Sequence, residues 1–136
     1  MPLIRDDENY ADLEDKTISK EGEYPLRIIK GEYKATKAGD NHMIVATLSV
    51  EGEEGEGVAP FQHYMTVPSA DGKGQYDRMR KRDLVRFLVK FGVDPKAFDP
   101  EEDAPQLAGL TATVLVKLEK GDDDEFYPRL RLPRIA

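Results

Sequence analysis

From Tyr76 to Phe91 the apolar residues recur at helical spacing, with Leu84, Phe87, Leu88 and Phe91 on one stripe and Gly92 as a C-terminal stop. Before and after this stretch the pattern is a two-residue alternation broken by turn clusters. A single long helix set among strands restricts the fold more than any other feature of the chain.

Three strands precede the helix. The first spans Glu23 to Lys34, with Leu26 and Ile28 facing one way, Arg27 the other, and Gly31 offering a bulge at which the strand can bend. The second runs from His42 to Glu51. There Ile44, Ala46, Leu48 and Val50 share one face and Met43, Val45, Thr47 and Ser49 a semi-polar second face. The third covers Val58 to Val67, where Pro60 implies an edge or early position because proline donates nothing to a ladder. Turn residues 36–41 and the Gly/Glu run 51–57 separate these strands, and Ser69 to Gln75 is expected to be a mobile loop.

After the helix, Val93 to Gly109 carries Pro95, Pro100 and Pro105 and reads as a connector with at most a short helical turn. Strand four, Leu110 to Lys120, points Leu110, Ala112, Val114, Val116 and Leu118 inward. Strand five, Glu125 to Leu132, sets Phe126, Leu130 and Leu132 opposite Tyr127, Arg129 and Arg131. Three strands, one helix and two strands predict a mainly β protein: a five-stranded OB-fold barrel with one α-helix between strands three and four. A sandwich of immunoglobulin type needs about seven strands, and a doubly wound sheet needs helices after most strands.

At 136 residues the chain has the length of one domain. Its net charge of −7 argues at first against a nucleic-acid ligand, which calls for clustered cations. The acids are unevenly placed. Residues 1–23 hold eight acids against three cations, a balance of −5, which leaves −2 for the rest. Residues 1–20 therefore read as an acidic, flexible arm and 21–136 as the OB-fold domain. That arm is open to three readings: a solubility tail, an intramolecular mimic of DNA, or a recruitment site for replication proteins.

Cysteine is absent, so thiol chemistry is excluded. With no apolar run of eighteen residues and no signal-type N-terminus, a cytoplasmic protein without a membrane partner is expected. His42 and His63 are the only histidines and lack metal-ligand spacing. No phosphate-cradling glycine loop or nucleophile elbow is present, so neither an enzyme, a cofactor nor a metal is expected.

Three segments, Gly22-Glu23-Tyr24-Pro25-Leu26-Arg27-Ile28, Glu32 to Asp40 with its Thr-Lys-x-Gly-Asp turn, and Leu84 to Val93, resemble a phage-encoded family. That family, formerly a phage domain of unknown function, belongs to replication and recombination regions and is regarded as single-stranded-DNA-binding. The resemblance extends over roughly residues 13 to 132. It departs in a longer loop after strand three and in the acidic turn Asp122 to Asp124. It implies a role in the bacterial host cytoplasm, protecting single-stranded DNA, with recombinase, helicase or nuclease partners.

Proteins that hold single strands without sequence preference combine cations along a groove with aromatic faces on which bases stack. On the usual OB surface the candidates are Lys34, Lys37, Gln62, Tyr64, Tyr127, Arg129 and Arg131. Phe61 and Phe126 share parity with core residues instead. The helix bears Arg78, Arg82, Arg86 and Lys90 at four-residue intervals, which reads as a solvated face at the barrel's end, away from that groove. The expected function is single-stranded DNA binding. The alternative is an OB-type protein-interaction module, for instance a phage inhibitor of a host DNA-binding protein, for which acidity is natural. Homo-oligomerisation is left open by the sequence.

Overall fold

The computed structural model describes residues 18, 20–36, 39, 41–51, 59–69 and 73–134. Five strands form one antiparallel sheet: β1 (Gly22–Ala35), β2 (His42–Val50), β3 (Phe61–Thr66), β4 (Thr111–Lys120) and β5 (Phe126–Arg131), in the spatial order β3-β2-β1-β4-β5. The helix α1 (Asp77–Lys90) lies between β3 and β4, followed by a 3-10 turn at Pro95–Ala97, a four-residue helix α2 (Pro100–Asp103) and a second 3-10 turn at Ala104–Leu107. The sheet is open. No ladder joins β3 to β5 among the described residues, so the predicted closure of a barrel is not seen.

Strand alternation explains the core. Leu26 and Ile28 of β1, Ile44, Ala46 and Leu48 of β2, and Val114 and Val116 of β4 all face inward and are fully buried. Over them lies Phe87 of α1, also fully buried, with Leu84, Leu88 and Phe91 around it. Phe87 contacts the Phe91 ring at a centroid distance of 4.7 Å. Each such large apolar side chain contributes about 1.5–3 kcal/mol when wholly buried. Phe61 and Leu130 pack on the edge of this cluster.

β1 is the spine of the sheet. Residues 22–27 pair with β4 and residues 26–35 with β2, so that Leu26 and Arg27 are flanked on both sides. The register slips between Ile28 and Lys30, which places the bulge at Ile29 rather than at Gly31 as expected from the sequence. Next to the bulge, Ile28 donates to the Leu110 carbonyl at 2.8 Å and accepts from the Gly109 N–H at 2.6 Å. Gly31 has another task. A Cβ there would overlap the Ala104 carbonyl oxygen and stand 3.2 Å from Leu107 Cβ, so only glycine lets the second 3-10 turn lie on the strand.

α1 ends as its sequence implies. Gly92 takes φ 78°, its N–H donates to Val89 at 3.1 Å, and Val93 donates to Leu88 at 2.8 Å, the paired bonds of a Schellman cap. The connector is more helical than predicted because Asp94 and Asp99 each precede a proline. The Asp94 carboxylate accepts from the Lys96 N–H and that of Asp99 from the Glu101 and Glu102 N–H groups, starting a helical turn each time.

Four further points differ from expectation or refine it. Phe126 was expected inward but is 57% exposed, since its pairing with Lys120 lies beyond the end of the core. Strand three begins at Phe61, with Pro60 outside it, and β3 is an edge strand. Ile18, assigned by sequence to the arm, is buried in the core, whereas residues 1–17 lie outside the described residues. The loop after β3 is fastened at its ends. The buried Asp77 carboxylate accepts from the Ser69 N–H and hydroxyl and from the Gly74 N–H, while residues 70–72 lie outside the described residues. These bonds, the Ser69 hydroxyl foremost, hold the Asp77 carboxyl below the usual carboxylate range.

Candidate functional site

The register sorts the outward side chains into rows. Lys30, Thr47 and Gln62 form one row across β1, β2 and β3. Glu32, Val45 and Tyr64 form the next, and Lys34, Met43 and Thr66 the last. Tyr64 donates its hydroxyl to the Gln62 side chain and leaves its ring 52% exposed. Glu32 accepts from Lys30 at 2.8 Å and pairs with Lys34 at 3.4 Å, and the Lys30 contact holds its carboxyl below the ordinary range. Lys34 is therefore shared with an acid on its own strand.

On the opposite edge, Arg131, Arg129 and Tyr127 alternate outward along β5, opposite Leu115, Lys117 and Glu119. Arg129 pairs with Glu119 at 3.5 Å. Tyr127 donates to Asp123, a bond that lowers the carboxyl pKa and raises that of the phenol. Its ring stays largely exposed, and its polar tip is tied to the acidic turn. Lys37 lies outside the described residues.

Between β3, α1 and β5 lies a cleft of about 1040 Å³. His63 to Thr66 stand on the β3 side, Tyr76, Met79, Arg80, Asp83, Arg86 and Lys90 on the helical side, and Leu130 to Arg134 on the third, with Glu23, Thr113 and Leu115 also in the lining. Among the described residues of the lining, five cations face two acids. Arg80 sits 5.8 Å from the centroid of the half-exposed Tyr76 ring and 3.8 Å from Asp77. Arg86, Lys90, Arg131 and Arg134 have no acidic partner within 4.0 Å among the described residues. Positive groups so placed are open to an anionic ligand.

Of the sequence candidates, the cleft gathers Tyr64 and Arg131, and it leaves Lys34, Gln62, Tyr127 and Arg129 on the adjoining outer face. The helix α1, expected to lie away from the usual OB groove, lines this cleft. Arg86 and Lys90 of the expected basic stripe line the cleft, Arg78 and Arg82 do not, and Arg80, Tyr76 and Met79 join instead. The signal was present in the spacing. Tyr76 and Arg80, like Arg86 and Lys90, are four residues apart, on a stripe beside the apolar one.

Under the β3 wall, His63 stacks on Phe87 with centroids 5.4 Å apart. Burial, with the Arg129 charge nearby and Asp83 opposing, pushes its pKa down to about 4. The folded protein thus binds this proton less readily than the unfolded chain, whose histidine titrates near 6.5. Stability that is fully present above 6.5 is lost as the pH falls toward about 4. Between pH 6.5 and 5.5 the loss from this residue is about 1 kcal/mol. Urea denaturation at both pH values checks it. The His63→Phe variant, which keeps a ring on Phe87, is expected to show a smaller pH dependence, and an unchanged one would remove His63 as the cause.

A second cavity, of about 490 Å³, lies by the stacked Tyr33 and His42 rings, with Asn41, Asp99 and Glu101 among its walls and no lysine or arginine among the described residues that line it. Among the described residues no group of three or more His, Asp or Glu could hold a metal ion, and no helix is long and apolar enough to cross a membrane.

A family model described as "Protein of unknown function (DUF669)" matches residues 6–134. No curated protein matches the chain.

Proposed function

Since the chain belongs to this family of proteins of unknown function, its role has to be argued from its own residues, and we propose that it is a single-stranded-DNA-binding protein of OB type. The strand order β3-β2-β1-β4-β5 with a helix between β3 and β4 supports this reading, in which the barrel stays partly open at a seam between β3 and β5. The observation that carries the reading is the cleft at that seam. It combines exposed tyrosine rings with cations that have no acidic partner among the described residues. A single strand offers what such a surface takes, a phosphate for each cation and a base face for each ring.

In this reading Arg86, Lys90, Arg131 and Arg134 contact phosphates, and Tyr64 and Tyr76 stack bases. Lys34, Lys37, Gln62, Tyr127, Arg129 and the rest of the outer face extend the track. Protection of single strands in phage replication or recombination follows from the resemblance noted in the sequence, as do recombinase, helicase or nuclease partners. The protein performs no chemistry in this role.

Fluorescence anisotropy with labelled oligo-dT tests the proposal. Binding is expected at low salt, weakening with log salt at a slope of about −0.7 for each phosphate neutralised. Tyr64→Ala is expected to weaken it by about 1–3 kcal/mol, the usual range for one stacked base. Absence of binding at low salt would remove the reading and leave a protein-interaction module, which a pull-down from nuclease-treated host lysate would detect.

A further inference from the structure

The positive charge of the cleft is unusual in a chain of net charge −7, and the segment before the first strand is one of its strongly negative stretches. Residues 1–17 hold six acids, Asp6, Asp7, Glu8, Asp12, Glu14 and Asp15, against Arg5 and Lys16, a net of −4. The described lining of the cleft holds five cations against two acids, a net of +3. In the segment, Leu3 and Ile4 precede the acids, and Tyr10 and Leu13 lie among them. The cleft likewise mixes its cations with apolar side chains, among them Met79, Leu130 and Leu132.

The path of the chain brings the two together. Ile18 is held in the core, the Glu21 carboxylate accepts from the Leu118 N–H of β4 at 2.9 Å, Gly22 pairs with Val116, and Glu23 is itself part of the cleft wall. The segment before Ile18 therefore starts within a few residues of the cleft. At about 3.3 Å per extended residue, seventeen residues span roughly 50 Å, more than enough to cross it. Tethering gives such a segment an effective concentration on the order of mM without any second binding event.

From this charge complementarity and this anchoring we infer that the acidic segment 1–17 of this chain docks in its own cleft when nucleic acid is absent and competes with it. Its carboxylates take the places of phosphates on Arg86, Lys90 and Arg131. The inference rests on the cleft being the anion-binding surface of the preceding section. Its consequence is selectivity: a ligand must displace the segment, so short or weakly charged strands bind less well than the cleft alone would allow.

The test uses the full chain with the six acids replaced together, Asp6→Asn, Asp7→Asn, Glu8→Gln, Asp12→Asn, Glu14→Gln and Asp15→Asn. Without DNA, the amide resonances of Tyr64, Arg86 and Arg131 are expected to differ between this variant and the parent, and to converge as salt screens the contact. Unchanged resonances at these positions overturn the inference. Differences that grow with protein concentration also overturn it, since they mean that a second copy's segment is bound.

With oligo-dT at low salt the variant is expected to bind about tenfold more tightly, because a competitor present at mM effective concentration is gone. The control, Glu101→Gln with Glu102→Gln outside the cleft, is expected to change affinity less than about twofold. An equal gain in both proteins assigns the effect to net charge and overturns the docking. If the resonances move but neither protein binds oligo-dT, the docking stands and the single-strand reading falls.

Discussion

Replacing Gly31 by alanine is expected to lower the thermal midpoint by about 10 °C or more, from a loss of about 3 kcal/mol. The added methyl overlaps the carbonyl oxygen of Ala104 and presses on Leu107, and neither is the free end of a flexible side chain. Ala104 and Leu107 are both buried, so the turn that carries them has to lift from β1 and part of the core opens with it. Circular dichroism melts of the variant and parent decide the matter. A midpoint within 2–3 °C of the parent would mean that the turn yields at little cost and does not brace the strand.

The second large effect concerns affinity. Reversing charge at two cleft positions, Arg86→Glu with Arg131→Glu, is expected to weaken oligo-dT binding at low salt by about 100-fold and to flatten the salt slope by about 1.4. Each change removes an attraction and adds a repulsion, each about 1 kcal/mol at 4 Å in water before screening. Arg86 and Arg131 make no ion pair with the described residues, so the fold has little to lose. Lys96→Glu, on a turn outside the cleft, serves as the control for net charge and is expected to cost far less. Equal losses from both variants would place the contact elsewhere on the molecule.

Much of the fold was legible because burial imposes parity. The alternation in β2 and β4 marked Ile44, Leu48, Val114 and Val116 as inward, and all four are fully buried. Gly92 announced the end of α1 through a conformation that few other residues adopt. The bulge was placed two residues away because Ile29 looks like any other apolar strand residue, and nothing local says that it is left unpaired. Phe126 followed the parity rule into an inward assignment, but parity says only which way a side chain points. Whether anything covers it depends on how far the core extends along β5.

The candidate site was legible in part for the same reason. Outward parity was right for Gln62, Tyr64, Tyr127, Arg129 and Arg131, since each lies in an outward position of its strand. Which of these meet was not readable, because the cleft depends on how α1 lies against two strands far apart in sequence. Arg80, Arg86 and Lys90 look like the solvated face of any amphipathic helix until Tyr64 and Arg131 are set opposite them. The Asp-Pro pairs at 94–95 and 99–100 were a missed local signal. Aspartate followed by proline begins a helical turn as well as it marks a loop.

The shared midpoint of β1 acts as a fulcrum. One pair of strands, β2 and β3, hangs from its second half and the other, β4 and β5, from its first, and the two pairs approach each other again only across the cleft. A change of tilt at Ile28 to Gly31 would therefore alter the distance across the cleft. In the proposed role, the room left for a ligand at the seam is then set in part by residues that do not line the cleft.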